Sequence, residues 1–320
     1  MEIIQNNINF PWNWSEISRS PYITIDIVEN NIDLPWDWQY ISEKHDLTID
    51  FIKKHIYEKW NLFYISRNPA ITTLDIENNI DLQWNWYWGV SSNPNITIDF
   101  IKKYPNKDWN WEYISRNKAI TTEDIENNIN LPWKWEYISC NPNLTVDFIK
   151  KHSDKDWCWC LISSNSAITL DIIENNPDLP WQLNWGVSEN PNITIDFIKK
   201  NIDKIRNWEH ISKNSGITME DIENNMYLQW VWNHGNYGDV SQNPNLTIEF
   251  IEKYPNKNWD WYTISHNKYV LMKTYDPNTL DSYNKYGWKI LSRSIFHIQF
   301  NKLINILNLP NDIKNNINKY

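Results

Sequence analysis

The sequence has little cysteine and glycine, and it has no long apolar run. Its three Cys are an odd number, which argues against a disulfide framework and favours a reducing, intracellular setting. No apolar run is long enough to cross a bilayer, and the N-terminus from Met1 lacks the basic region and apolar core of a signal peptide. The chain also has no Gly-rich phosphate loop, no His-Glu-x-x-His motif and no Ser/His/Asp arrangement. We therefore expect a protein that is not secreted, has no membrane partner and is not an enzyme.

Tryptophan is abundant instead, and most of its 22 residues fall in a repeated phrase of about 24 residues. The plainest copy reads Ile-Thr-Ile-Asp-Phe-Ile-Lys-Lys from Ile96 and Trp-Asn-Trp-Glu-Tyr-Ile-Ser from Trp109. The Ile/Leu-Thr pair that opens successive copies begins at Ile23, Leu47, Ile71, Ile96, Ile120, Leu144, Ile168, Ile193, Ile217 and Leu246. A unit of this length cannot bury its apolar face alone, so the copies are expected to stack as a solenoid.

Each copy is predicted to hold two short helices. The Thr after the opening Ile or Leu, such as Thr121, suits the N-cap of the first helix, and a following acid such as Asp124 suits the positive end of the helix dipole. In half of the copies an Asn-Asn pair, such as Asn127 and Asn128, is expected to end this helix in the left-handed conformation. The second helix is predicted to begin at the Trp pair, where Pro132 precedes the first Trp.

The fold predicted from these features is an all-α solenoid of about eleven two-helix repeats with terminal caps. Trp109, Trp111 and Tyr113 also alternate at period two, which leaves a β/α solenoid resembling leucine-rich repeats as the alternative. The Trp residues are expected to form the core. Their indole N–H groups are expected to bond to the Ser that ends each second helix, such as Ser115, or to the Asn two residues later.

A charge alternation predicts that two copies form one structural unit of about 48 residues. The seventh residue of successive copies is Glu29, Lys53, Glu77, Lys102, Glu126, Lys150, Glu174, Lys199 and Glu223. Because equivalent positions of stacked copies are neighbours, we expect acid to face base along one ridge. Exposed pairs contribute only about 0–1 kcal/mol each, so they are expected to fix register more than stability.

Three regions follow along the chain. Residues 1–22 are a half repeat that caps the N-terminus, residues 23–267 are the repeat solenoid, and residues 268–320 hold a degenerate repeat and a capping helix. The last region carries eight Lys/Arg and three Asp, whereas the whole chain carries a net charge of -10. The acidic body makes nucleic acid an unexpected partner, although the basic end could contact it locally.

Insertions in the second half of three copies are the candidate functional positions. Trp88-Gly89 and Trp185-Gly186 each accompany one extra residue, and residues 233–239 add five. Insertions at one place in a repeat often build a binding face, so all three are expected to emerge on one edge; tolerated loop variation is the alternative. The residues assigned to this edge are Trp88, Gly89, Trp185, Gly186, Asn233, His234, Asn236, Tyr237 and Asp239.

The sequence predicts no metal site and no cofactor. Cys140, His152, Cys158 and Cys160 lie in one stretch, but Cys158-Trp159-Cys160 lacks the Cys-x-x-Cys spacing of common zinc sites. The acidic residues recur in every copy, which indicates caps and charge pairs and not a catalytic acid and base. No small-molecule substrate is evident.

The phrase Trp-x-Trp-x-x-Ile-Ser-x-Asn-Pro-Asn-Ile-Thr-x-Asp-Phe-Ile-Lys-Lys resembles the Trp-rich short-repeat proteins of mimivirus-type giant viruses of amoebae. The resemblance covers residues 1 to about 267. It implies a repeat protein found in the cytoplasm of the infected host cell or in the virion. The function expected first is a scaffold that binds a protein partner, and the alternative is a self-assembling structural component of the virion.

Overall fold

A computed structural model describes residue 4, residues 10–233 and residues 238–266. The chain divides into two compact units, residues 1–158 and residues 159–320. In each unit short helices follow one another as a stack of repeats, and no strand occurs in the described residues. The predicted all-α repeat solenoid is therefore confirmed, and the leucine-rich-repeat-like alternative is wrong. The predicted cap at residues 268–320 lies outside the described residues.

We call the first helix of each copy the opening helix. It spans five or six residues in every described copy. The opening helices are Ile25–Glu29, Ile49–Lys54, Thr73–Asn78, Ile98–Lys103, Thr122–Asn127, Val146–Lys151, Leu170–Asn175, Ile195–Lys200, Met219–Asn224 and Ile248–Lys253. None of the helices in the described part of the chain has the length and apolar character needed to span a bilayer.

We call the second helix the closing helix. The closing α-helices are Trp14–Arg19, Trp38–Ile41, Leu62–Arg67, Trp111–Ser115, Trp135–Ile138, Trp159–Ser164, Trp208–Lys213 and Trp261–His266. Where the sequence carries an insertion, the same place is taken by the 3-10 turns Val90–Ser92 and Val240–Gln242 and by the π-helix Leu183–Val187.

The caps of the opening helices are only partly as predicted. The predicted Thr N-cap is confirmed in all ten copies; in the fifth copy Thr121 accepts from the backbone N–H of Asp124, whose carboxylate bonds back in a capping box. The left-handed C-cap is wrong, because Asn128 has a φ of -135°. Its side-chain amide instead donates to the carbonyl of Asp124 at 2.7 Å, which satisfies a carbonyl that the helix end leaves open.

The closing helix begins at the second Trp of the pair, two residues later than predicted. In the fourth copy Asn110, between Trp109 and Trp111, is the N-cap and accepts from the N–H groups of Glu112 and Tyr113. Trp109 precedes the helix in a tight turn that its backbone N–H closes onto the carbonyl of Lys107 at 2.9 Å.

The prediction that the indole N–H groups bond to Ser or Asn side chains is wrong for the first Trp of the pair, whose indole donates to a backbone carbonyl. Trp109 donates to the carbonyl of Tyr104, the C-cap of the preceding opening helix, at 2.9 Å. The same bond, to the residue five positions earlier, is made by Trp36, Trp60, Trp84, Trp109, Trp133, Trp157, Trp181, Trp230 and Trp259. This bond fixes the opening helix of a copy to its own Trp pair.

The Ser and Asn that recur in each copy of the phrase join neighbouring copies instead. Ser91, which is fully buried, accepts from the backbone N–H of Asn110 in the next copy at 2.9 Å. Asn93, 1% exposed, donates to the carbonyls of Ser66 and Asn68 in the copy before and to that of Ile71 at the start of its own copy. Buried polar groups that are all bonded in this way rigidify a repeat stack and fix its register.

The bonds between copies alternate in number, which gives the 48-residue pair a physical basis. Where the opening helix of an odd copy meets that of the next even copy, the Asn just before the even helix donates to three carbonyls, as Asn141 does before Val146–Lys151. Asn143 adds two more bonds to the carbonyls of Lys118 and Ile120. Where the opening helix of an even copy meets that of the next odd copy, the Asn just before the odd helix donates to two carbonyls, as Asn117 does before Thr122–Asn127. We call these contacts the paired joint and the open joint.

Candidate interaction surface

Two of the three insertions are absorbed by one wide turn each. In the first unit the backbone N–H of Val90 donates to the carbonyl of Asn85 at 2.7 Å, and that of Ser91 donates to Trp86 at 3.1 Å, which are both bonds across five residues. Such π-type turns accommodate one extra residue without disturbing the flanking helix. Ser91 is therefore back in register and makes its usual bond to the next copy. In the second unit Val187 repeats this bond to Gln182 at 3.0 Å.

The extra residue places a Trp side chain in solvent in each turn. Trp88 is 48% exposed and Trp185 is 58% exposed, whereas the Trp109 of an ordinary copy is 9% exposed. The wide turn offers no core position for the extra side chain. The indole therefore lies outside the ladder of buried Trp rings.

Gly89 and Gly186 are required by packing and not by backbone freedom. A Cβ on Gly89 would overlap the Cβ of Ser66 and lie 2.7 Å from the carbonyl oxygen of Asn85. A Cβ on Gly186 would overlap the Cβ of Ser163. The glycines let the widened turn approach the preceding copy closely, so they support the exposed Trp and are themselves buried.

Side chains of the following copy extend the surface at Trp88. The Trp88 ring meets Tyr113 edge-to-face at 5.7 Å and Tyr87 at 4.7 Å. The guanidinium of Arg116 lies over Tyr113 at 4.2 Å and within 5.8 Å of the Tyr137 ring. We call Tyr87, Trp88, Tyr113, Arg116 and Tyr137 the aromatic row. Only Trp88 was assigned from the sequence. Tyr113 and Tyr137 could have been found as well, because each lies two residues after the second Trp of its copy, as Trp88 does after Trp86.

The second unit brings two insertions beside one closing helix. Trp185 meets His210 of the helix Trp208–Lys213 edge-to-face at 6.0 Å. Gly238, with a φ of 122°, lies so near this helix that a Cβ on it would be 2.8 Å from the carbonyl oxygen of Glu209. Because Trp88 belongs to the first unit, the single edge shared by all three insertions stays a prediction.

The ends of the third insertion differ in exposure. Asn233 is exposed. Asp239 is fully buried and caps the turn Val240–Gln242 by accepting from the N–H of Gln242, so it has a structural role and does not belong to an exposed edge. His234, Asn236 and Tyr237 lie outside the described residues.

The alternating charges pair between copies, but the base is the eighth residue and not the seventh. Glu77 pairs with Lys103 at 2.9 Å and Glu126 with Lys151 at 2.7 Å. The expected partners Lys102 and Lys150 are exposed and do not take part in these pairs. Successive residues of a helix point about 100° apart, so only one of two adjacent lysines can face the preceding copy. The five pairs are Glu29–Lys54, Glu77–Lys103, Glu126–Lys151, Glu174–Lys200 and Glu223–Lys253.

These pairs all lie at paired joints, and some of them shift the pKa of a group that they contain. The hydrogen bond from Lys151 lowers the pKa of Glu126, and the bonds from Lys54 and His55 lower that of Glu29. The bond to Glu77 raises the pKa of Lys103. All are exposed pairs, so their contribution is mainly to register.

The cysteines are free thiols, and burial raises the pKa of the Cys140 thiol. Among the described residues no group of three or more His, Cys, Asp or Glu side chains is arranged to hold a metal ion. A scan against protein-family models finds no matching family, and searches of curated proteins and of solved structures find no matching protein.

Proposed function

We propose that this chain is a non-enzymatic repeat scaffold that binds a protein partner through the aromatic row. The observation that carries the proposal is the 48% exposure of Trp88 in a chain whose repeat Trp residues are otherwise buried or half-buried. The resemblance to giant-virus repeat proteins supports a viral origin and a role in the infected host cell or the virion.

The composition of the aromatic row supports a protein partner. Trp, Tyr and Arg are the residues that most often dominate the binding energy of protein interfaces. Rings with two side-chain dihedrals supply large contact area at low entropic cost, and here Trp88, Tyr113 and Arg116 already support one another. A partner that covers the row would bury apolar surface without moving the backbone of the stack.

The test is affinity capture from lysate of infected amoebae with the full chain as bait. Trp88→Ser removes the central ring, and Trp185→Ser does the same in the second unit. Tyr57→Ser is the matched control, because Tyr57 is 99% exposed and lies outside the closing helices. We expect one protein to be recovered by the wild type and by Tyr57→Ser, and at least about tenfold less by Trp88→Ser.

Equal recovery of every protein by all baits would contradict the proposal. Recovery of virion proteins alone, unaffected by Trp88→Ser, would favour the structural virion component instead. Residues 268–320, where a local nucleic-acid contact through basic side chains is the lower-ranked alternative, lie outside the described residues.

A further inference from the structure

The second Trp of the pair is missing in two copies, where Leu62 and Leu183 stand, and at Leu62 a cavity lies where the ring would be. In ordinary copies the second Trp of a pair packs edge-to-face on the first Trp of the next copy, as Trp111 does on Trp133 at 5.2 Å. Leu62 takes the place of the second Trp between Trp60 and Trp84. Among the described residues, Trp84 accordingly has no aromatic ring in contact, and Leu62 is 41% exposed.

The cavity has the size and lining of a small-molecule site. Its volume is 370 Å³, within the range of about 300–1,000 Å³ that such sites occupy. Its walls are mainly apolar, formed by Ile52, Trp60, Leu62 and Trp84 among others, and its mouth includes Ile56, which is 43% exposed.

Charge selects the ligand. Glu58 and Asp81 are the ionisable side chains of the lining, and no basic residue contributes to it. The polar remainder is the amide of Gln83. Two carboxylates beside half-buried Trp60 and exposed Ile56 attract a cation that carries an apolar ring.

We propose that this cavity binds a small aromatic amine. The ring occupies the space of the missing indole, edge-to-face with Trp84, and the ammonium group lies between the carboxylates of Glu58 and Asp81. Edge-to-face packing on Trp and a charge-assisted contact to carboxylate are the two interactions that the site offers. The proposal is independent of a protein partner at Trp88, which lies outside the cavity lining.

Tryptamine is the probe, titrated into the full chain by isothermal calorimetry. Indole-3-acetate, which has the same ring and the opposite charge, is the comparison. We expect saturable binding of tryptamine with a stoichiometry of one, and at least about tenfold weaker binding of indole-3-acetate. Absence of saturable tryptamine binding, or equal affinity for both probes, would overturn the proposal.

Variants separate the ring site from the charge site. Leu62→Trp restores the indole of the ordinary copies and should weaken tryptamine binding at least about tenfold, whereas Leu183→Trp, at the same place of a copy in the second unit, should leave it unchanged. The double variant Glu58→Gln, Asp81→Asn keeps the cavity and should remove the preference for tryptamine over indole-3-acetate. A preference that survives in this variant, or binding that survives in Leu62→Trp, would show that tryptamine binds elsewhere.

Discussion

Replacing Asn93 by Ala removes four hydrogen bonds of one buried side chain at a contact between copies. Its amide donates to Ser66, Asn68 and Ile71 at 2.9, 3.2 and 3.0 Å, and its Oδ1 accepts from the N–H of Asn95 at 2.9 Å. A buried hydrogen bond contributes about 1 kcal/mol net, and a buried group left unsatisfied costs about 1–3 kcal/mol.

The expected loss follows from counting groups that keep a partner. The carbonyl of Ile71 retains a bond from Asn95 at 3.0 Å, and that of Asn68 retains a bond from the backbone N–H of Ile71 at 3.0 Å. Two groups therefore lose theirs, the carbonyl of Ser66 and the N–H of Asn95. We expect Asn93→Ala to lower the free energy of unfolding by about 3 kcal/mol. Asn93→Asp should be worse, because it removes the same donors and adds a buried charge facing carbonyl oxygens.

Urea unfolding followed by far-ultraviolet circular dichroism measures this loss, with Asn95→Ala as the matched control. Asn95 donates to the same copy through two bonds but is partly exposed, so water can replace it and the loss should be about 1 kcal/mol. If Asn93→Ala unfolds at the same urea concentration as Asn95→Ala, buried amides do not hold the copies together.

Three further predictions concern single positions. Gly186→Ala should lower the stability to urea by about 1–3 kcal/mol, because the new Cβ overlaps that of Ser163; unchanged stability would contradict this packing. Glu126→Gln should reduce the loss of folding stability that occurs as the pH falls below 5. Lys151 lowers the pKa of Glu126 below 4.5, so the stabilisation by this pair is complete above pH 4.5 and is lost as the pH falls through the lower folded pKa. The same loss of stability in acid for the variant and the wild type would refute the pair. Lys44 stands where other copies have the buried Asn, and its ammonium donates to the carbonyl of Ser20. Burial lowers the pKa of Lys44, so keeping this side chain charged in the folded state lowers the stability of the fold. Lys44→Asn should therefore raise the melting temperature at pH 7, by a margin that narrows as pH rises toward 10.5, and a lower melting temperature would contradict the argument.

Local signals in the sequence predicted the repeat and its helix starts. Thr121 and Asp124 lie three residues apart and satisfy each other within one helical turn, so the phrase alone determines the cap. The 48-residue pair was also visible, since the alternation of Glu126 and Lys150 reports a difference between odd and even copies. The structure adds that an Asn that bonds as Asn143 does precedes only even opening helices.

Features that depend on the relation between two segments could not be predicted. Whether Lys102 or Lys103 faces Glu77 depends on the rotation of one helix relative to the next, which the sequence does not state. The acceptor of the Trp109 indole is a backbone carbonyl, and any residue could supply it. The wide turn that exposes Trp88 depends on Gly89 meeting Ser66 of another copy.

The alternation of paired and open joints is the central structural claim, and native-state hydrogen exchange tests it most directly. The backbone N–H of Ile120 and that of Leu144 are matched reporters, because each closes the same turn onto the Asn three residues earlier, at 3.0 and 3.1 Å. Ile120 follows an open joint and Leu144 follows a paired joint. The account predicts that, as urea is added, Ile120 loses protection through a local opening before Leu144 does. Simultaneous loss at both amides, or earlier loss at Leu144, would contradict the two-copy unit.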